Sequence, residues 1–300
     1  MQVTFGPVTE VGVACSPDGK RIAFEYFHPE RPANPQLWLM PSDGGFSAAE
    51  PIVDDMNFNG GPSWSPDSQW IAYVKHYPTK KADARTSSQV FKINVRTRLV
   101  VQLTSLPEFS VVGGTTSWSK DGWIAFRWNG DIYRVSEKGG EAELIAAVRS
   151  GSLSVEPSNL SWAPDGKRIA FVADDSRAEH QGISSIWIFD LEGKALQRIT
   201  EGHMDWFPSW RDNDSLVFGR MFSTKKGAIF SMNIRTRKAN QLTAGAIDVA
   251  PAIITSTNEL LFSRSTEIKP GHDFQLFRGF HVWRKQLPSN GSVVWLYRGH

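Results

Sequence analysis

The sequence predicts an all-β fold, a six-bladed β-propeller of four-stranded antiparallel blades. Three observations predict it. A short turn string recurs six times along the 300 residues, an apolar triplet follows each copy, and no stretch carries a persuasive 3.6-residue apolar period. The strong copies are Cys15-Ser16-Pro17-Asp18-Gly19, Trp64-Ser65-Pro66-Asp67-Ser68, Trp118-Ser119-Lys120-Asp121-Gly122 and Trp162-Ala163-Pro164-Asp165-Gly166. Weaker copies are Trp210-Arg211-Asp212-Asn213-Asp214 and Ile254-Thr255-Ser256-Thr257-Asn258. Successive first positions stand 49, 54, 44, 48 and 44 residues apart, the length of one four-stranded blade.

Each unit justifies its four strands in order. Strand a ends on the Trp or Cys slot. In the a–b turn Pro presets φ, and the Asp side chain can bond the turn's own backbone. Strand b carries the triplet: Ile22-Ala23-Phe24, Ile71-Ala72-Tyr73, Ile124-Ala125-Phe126, Ile169-Ala170-Phe171, Leu216-Val217-Phe218 and Leu260-Leu261-Phe262. Strand c carries an aliphatic-aromatic pair such as Val90-Phe91 or Ile186-Trp187. Strand d is a short run such as Gln102-Leu103-Thr104, Arg198-Ile199-Thr200 or Gln241-Leu242-Thr243. The expected blades are 6–54, 55–105, 106–147, 148–201, 202–244 and 245–300. Both 2–5 and Ser292 to Tyr297 read as a closing outer strand; closure by the N-terminal strand is the expectation, because an open ring would leave sheet edges bare. The slot Trp residues are expected to pack between blades. Cys15 is read as a small core hydrophobe in the same slot.

Composition removes other classes. Lys+Arg is 33 and Asp+Glu is 31, a net charge of +2, which excludes a strongly basic nucleic-acid platform. No run of about 18 apolar residues exists, so no membrane insertion is expected. One cysteine allows no internal disulfide. No basic-then-apolar leader opens the chain. The expectation is a soluble monomer, periplasmic if a signal peptide has been removed and cytoplasmic if the chain is complete as given.

The Trp-Ser-Pro-Asp-Gly, Ile-Ala-Phe and Gln-Leu-Thr strings resemble the TolB-type propeller repeat over nearly the whole chain. The repeat is similar to those of the TolB C-terminal domain and of the propellers of bacterial and other prolyl-oligopeptidase-family peptidases. The resemblance implies a six-bladed interaction platform; in the family TolB itself works in envelope complexes with a peptidoglycan-associated lipoprotein. A propeller hosts many activities, so function has to be argued from the site. The peptidase half of that family is absent from these residues, since no Gly-x-Ser-x-Gly elbow occurs.

The b–c loops are long and unlike one another, whereas the a–b and c–d turns are short. Variable loops on a rigid frame are where binding sits, so the b–c and d–a face is the candidate partner-binding face. Its candidate residues are Glu10, His28, Asn59, Arg85, Trp128, His180, His203, Asp205, Trp206, Arg220, Asp248 and His272. Glu10, Asn59 and Asp205 stand five residues before the slot and should approach the axis. The leading expectation is a non-catalytic scaffold for a protein or peptide partner, with no cofactor and no nucleic acid. The rival rests on resemblance to oligogalacturonate lyases: a divalent metal held by His28, His180, His203 and His272, with Arg85, Arg177 or Arg220 on substrate carboxylates. Local metal motifs are missing, so the ligand set of such a metal is unknown. A third alternative is a carbohydrate-binding or sensor domain in which Trp128 and Trp206 stack on sugar.

Overall fold

The computed structural model describes residue 2 and residues 9–28, 35–43, 46–53, 55, 57–78, 86–108, 110, 112–148, 157–174, 184–223, 226–244, 247–254, 256–265 and 280–287. The first blade consists of β1 (Thr9–Cys15), β2 (Arg21–Phe27), β3 (Gln36–Pro41) and β4 (Glu50–Val53). The second holds β5 (Phe58–Trp64), β6 (Trp70–Pro78), β7 (Thr86–Asn94) and β8 (Val100–Gln102). The third holds β9 (Val112–Trp118), β10 (Trp123–Trp128), β11 (Asp131–Ser136) and β12 (Glu143–Ala146). The fourth holds β13 (Ser158–Trp162), β14 (Arg168–Asp174), β15 (Ser184–Asp190) and β16 (Ala195–Arg198). The fifth holds β17 (Met204–Asp212), β18 (Ser215–Ser223), β19 (Lys226–Asn233) and β20 (Ala239–Gln241). The sixth holds β21 (Ile247–Ile254), β22 (Glu259–Ser265) and β23 (Phe280–Gln286). Consecutive strands within a blade pair antiparallel. Gly227 and Ile247 form a single parallel pair that stitches the fifth blade to the sixth.

The repeated strings form these elements for visible reasons. In the a–b turns Asp18 Oδ1 accepts from Lys20 N at 3.0 Å, Asp67 Oδ1 from Gln69 N at 3.0 Å and Asp165 Oδ1 from Lys167 N at 2.9 Å. These aspartates therefore close turns and take no part in a site. The Thr of the strand-d string has an equally local task. Thr104, Thr200 and Thr243 Oγ1 accept from Val90, Ile186 and Ile229 N at 3.0, 2.9 and 2.9 Å, tying the outer strand to strand c.

Burial then joins blade to blade. Phe24, Tyr73, Phe126, Phe171 and Phe218 of the triplets are fully buried, each contributing roughly 1.5–3 kcal/mol by leaving water. Every junction of neighbouring blades holds an apolar cluster. Ile71 and Tyr73 pack with Leu37 and Ile52, Ile124 and Phe126 with Val74 and Val90, and Ile169 and Phe171 with Ile132 and Ile145. The series continues with Leu216 and Phe218 against Ile186, then Leu260 and Phe262 against Ile229. The last junction sets Ile22 and Phe24 of the first blade against Ile254, Leu261 and Val282 of the sixth, so the ring is closed.

The slot residues brace these junctions. Trp64 Nε1 donates to Ala14 O at 2.9 Å, and Trp210 Nε1 to Ser161 O at 3.0 Å, each reaching the preceding blade. Cys15 packs against the cluster between the first and sixth blades. Burial pushes its thiol up to about 12, so it stays protonated. On β23, Gln2 forms an isolated antiparallel bridge with Trp283. Ser292 to Tyr297 lie outside the described residues.

Candidate functional site

The innermost strands β1, β5, β9, β13, β17 and β21 line the axis, and each breaks its pairing with strand b at an internal bulge; β17 lapses again at its end, between Trp210 and Asp212. The register lapses between Val11 and Ala14, Gly60 and Ser63, Ser158 and Ser161, Trp206 and Ser209, and Val249 and Ala252; β9 lapses opposite Ala125 and Arg127. At each of the six internal bulges one residue has positive φ: Gly12 (62°), Gly61 (65°), Gly114 (78°), Asn159 (50°), Phe207 (56°) and Ala250 (50°). These bulges turn the start of each inner strand toward the loop face.

That geometry sets the polar residues of the loop end. Asp205 lies opposite Arg220, and its side chain is fully buried. Arg220 Nε and Nη2 donate to its two carboxylate oxygens at 2.7 and 2.8 Å. In the next blade Arg264 grips Asp248 the same way, at 2.5 and 2.8 Å. Each guanidinium also lies on aromatic faces: Arg220 on Phe218 and Phe230, Arg264 on Phe262 and Trp283. The second blade makes a looser version. Lys75 faces Asn59 in register but pairs with Asp55 at 2.5 Å. Burial pushes the Asp55 carboxyl up, but hydrogen bonds from Lys75, Asn59 Nδ2 and Asn57 N outweigh it and hold the group below the usual carboxylate range. Asn59 is fully buried, and its Oδ1 has no hydrogen-bond partner among the described residues.

The first and third blades differ. Arg127 faces Gly113, and a Cβ there would lie 1.7 Å from Arg127 Nη2. The guanidinium thus fills the side-chain space that glycine leaves. Glu25 occupies the matching place in the first blade. Its carboxyl lies against Gly12 and Gly60, where an added Cβ would come within 2.8 and 2.9 Å of Oε1. Among the described residues it accepts one hydrogen bond, from Gly61 N at 2.7 Å. Burial pushes it up to about 7 against the pull of that N–H.

The structure thus brings Asn59, Asp205, Arg220 and Asp248 to the loop end of the axis. Trp128 is half-buried, against Tyr133 at 4.8 Å and within the cluster shared by the second and third blades. Trp206 is also half-buried, 6.1 Å from Phe207. The indole N–H of neither has an acceptor among the described residues. His203 is exposed, and His28 is half-buried beside Tyr26. Glu10 pairs with Tyr26 through its backbone, but its side chain lies outside the described residues, as do Arg85, His180 and His272. Among the described residues no group of three or more His, Cys, Asp or Glu side chains is placed to hold a metal ion.

Sequence reasoning missed Arg264, Glu25, Asp55 and Lys75. A signal existed: Lys75, Arg220 and Arg264 each stand two residues after the triplet aromatic, and Glu25 and Arg127 one residue after it. At the other end of the axis, toward the a–b turns, a cavity of about 330 Å³ is lined by Pro62, Thr116, Ser161, Pro208 and Ala252 among others.

A closed ring of antiparallel blades around a lined axis defines the class, a β-propeller. The profile of the TolB beta propeller domain matches residues 11–227 and 61–272, and the chain belongs to that family. It is similar to dipeptidyl-peptidase 5 of Porphyromonas gingivalis, 26% identical over 196 residues, covering 61% of this chain and 27% of that protein. The structure of TolB from Acinetobacter baumannii superposes with TM-score 0.63 at 20% identity, over 79% of this chain and 55% of that one. An oligogalacturonate lyase in complex with manganese superposes with TM-score 0.54 at 16% identity, over 85% of this chain and 70% of that one. The two structural likenesses show the fold. The chain spans about a quarter of the dipeptidyl-peptidase and about half of the TolB chain.

Proposed function

We propose that this propeller is a non-catalytic scaffold that receives a protein or peptide partner on the face carrying the b–c and d–a loops. The observation that carries the reading is the paired state of the loop-end charges. Asp205 and Asp248 are each held in a two-point grip by an arginine, and Asp55 by Lys75. A carboxylate so engaged has its lone pairs committed, which suits a braced docking surface better than proton transfer. TolB-type propellers are protein-interaction domains, which supports a protein partner. The partner's contacts would come from groups around this frame, the exposed His203 and the small accessible parts of Arg220 and Arg264 among them.

The test is site-specific photo-crosslinking. A photoreactive residue at His203, on the connection into β17, should trap the partner. One at Leu144, exposed on the outer strand β12, should not. Equal trapping from both positions would sink the reading. The lyase alternative keeps His28 and His203 within the described residues; cleavage of oligogalacturonate by manganese-loaded protein would replace the scaffold reading with it.

A further inference from the structure

We propose that the Glu25 carboxylate, in the gap between β1 and β5, is the receiving point for an organic cation, an ammonium or guanidinium carried by a peptide partner. The inference rests on the scaffold reading and names the chemistry its partner would present.

Three observations carry it. The first is an imbalance of charge. Asp55, Asp205 and Asp248 each have a cation of their own. Among the described residues Glu25 has only the Gly61 N–H, although its half-buried side chain sets the carboxyl between the inner strands of two blades. Enclosing a carboxylate without a countercharge is costly, and an arriving cation removes that cost.

The second observation is that the fold does not call for an acid here. The position one after the triplet aromatic is Val74, Val172, Gly219 and Ser263 in other blades, and both valines are buried. The third is the space kept around the group. Gly12 and Gly60 flank the carboxyl, and any Cβ at either would press on it. The register lapses there, so β1 and β5 leave the ladder beside the carboxyl: Gly61 N turns to Glu25, and Gly61 O accepts from Thr116 Oγ1 at 2.7 Å.

A metal ion fits less well. It needs several ligand atoms at once, and the described residues offer no such group. An ammonium or guanidinium needs one carboxylate and nearby carbonyls. The titratable groups on the packed elements, besides Glu25, are Glu10 and Cys15 on β1, Arg21 and Tyr26 on β2, Asp55 before β5, and Tyr73, Lys75, His76 and Tyr77 on β6. Asp55 and Lys75 pair with each other, and His76 Nδ1 lies 2.8 Å from Ser88 Oγ.

The experiment titrates the whole chain by calorimetry with L-arginine amide whose α-amine is acetylated, and with the equally acetylated citrulline amide as the uncharged isostere. Arginine amide should bind saturably above about pH 7, and more weakly below it as Glu25 takes up a proton. Glu25→Gln should weaken it at least tenfold, and citrulline amide should not bind. Gln keeps the acceptor for Gly61 N, so the loss reports charge and not folding. Glu25→Asp, which keeps the charge on a shorter arm, should recover part of the affinity. Equal affinity of wild type and Glu25→Gln, binding of citrulline amide, or no saturable binding of arginine amide would each overturn the proposal. The two readings fail separately. If Glu25→Gln still crosslinks its partner from position 203 as well as wild type does, the cation site falls and the scaffold stands. If arginine amide binds but nothing is trapped from position 203, the reverse holds.

Discussion

The first half of the ring and the second build the same bulge from different residues. In the first three blades the positive-φ position of the inner strand is Gly12, Gly61 or Gly114; in the last three it is Asn159, Phe207 or Ala250. A side chain in the left-handed region costs about 1–2 kcal/mol, less for Asn. The second half therefore carries strain that glycine avoids in the first. What offsets it is packing: Phe207 and Ala250 lie with Ile247, Val249 and Met221 where the fifth and sixth blades meet. The charges of the first blade and of the last two differ as well. The fifth and sixth blades neutralise their buried aspartates with arginines, while the first leaves Glu25 with a backbone N–H. The bulge is thus a demand of the ring, and local sequence only decides how comfortably it is met.

The largest way to break this contrast is Arg220→Ala. It leaves Asp205 buried without its cation and should destabilise the fold by roughly 3–5 kcal/mol, read as a lowered midpoint in urea. An unchanged midpoint would mean the fifth blade does not depend on the pair. Next is Gly61→Ala. At φ 65° a Cβ would meet Gly114 O at 2.7 Å and Thr115 Cα at 2.8 Å, both backbone, so the neighbouring blade must shift. A loss of about 3 kcal/mol is expected from strain and crowding together, and thermal melting would record it.

Glu25→Gln follows, with the opposite sign. The Glu25 carboxyl is raised in the fold from 4.5 to about 7. Its stabilising contribution is therefore full below about pH 4.5 and is lost as pH rises through about 7. Above that the charged group is a burden, and Gln should stabilise by on the order of 2 kcal/mol while flattening this part of the stability–pH curve. A wild-type curve without that slope would contradict the enclosed carboxylate. The smallest effect is expected from Asn159→Gly. Asn already tolerates the left-handed region, so the change should stay within about 0.5 kcal/mol; a larger gain would show that the second half is more strained than its packing suggests.

The Trp slot, the turn Asp and the strand-d Thr were legible in sequence because each does its work within one repeat or against the next. Period-two alternation and Ser-Pro-Asp turns specify strands and their ends, and six copies specify a ring. The candidate site was legible only in part. Asp205 and Asp248 could be placed near the axis by spacing from the slot, but their arginines lie 15 and 16 residues further on and meet them only through antiparallel register. Trp128 looked like a loop platform and is instead half-buried against Tyr133, because its strand continues to residue 128.

By itself the sequence determined the all-β class, the repeat and the turns, since those depend on contacts a few residues apart. Tertiary structure alone decided which charges meet across strands and which one, among the described residues, meets a backbone N–H in place of a cation. Glu25 and Gly61 are 36 residues apart, and Ile22 joins Ile254 only because the ring closes. Such pairings are set by register and closure, which depend on the whole chain at once.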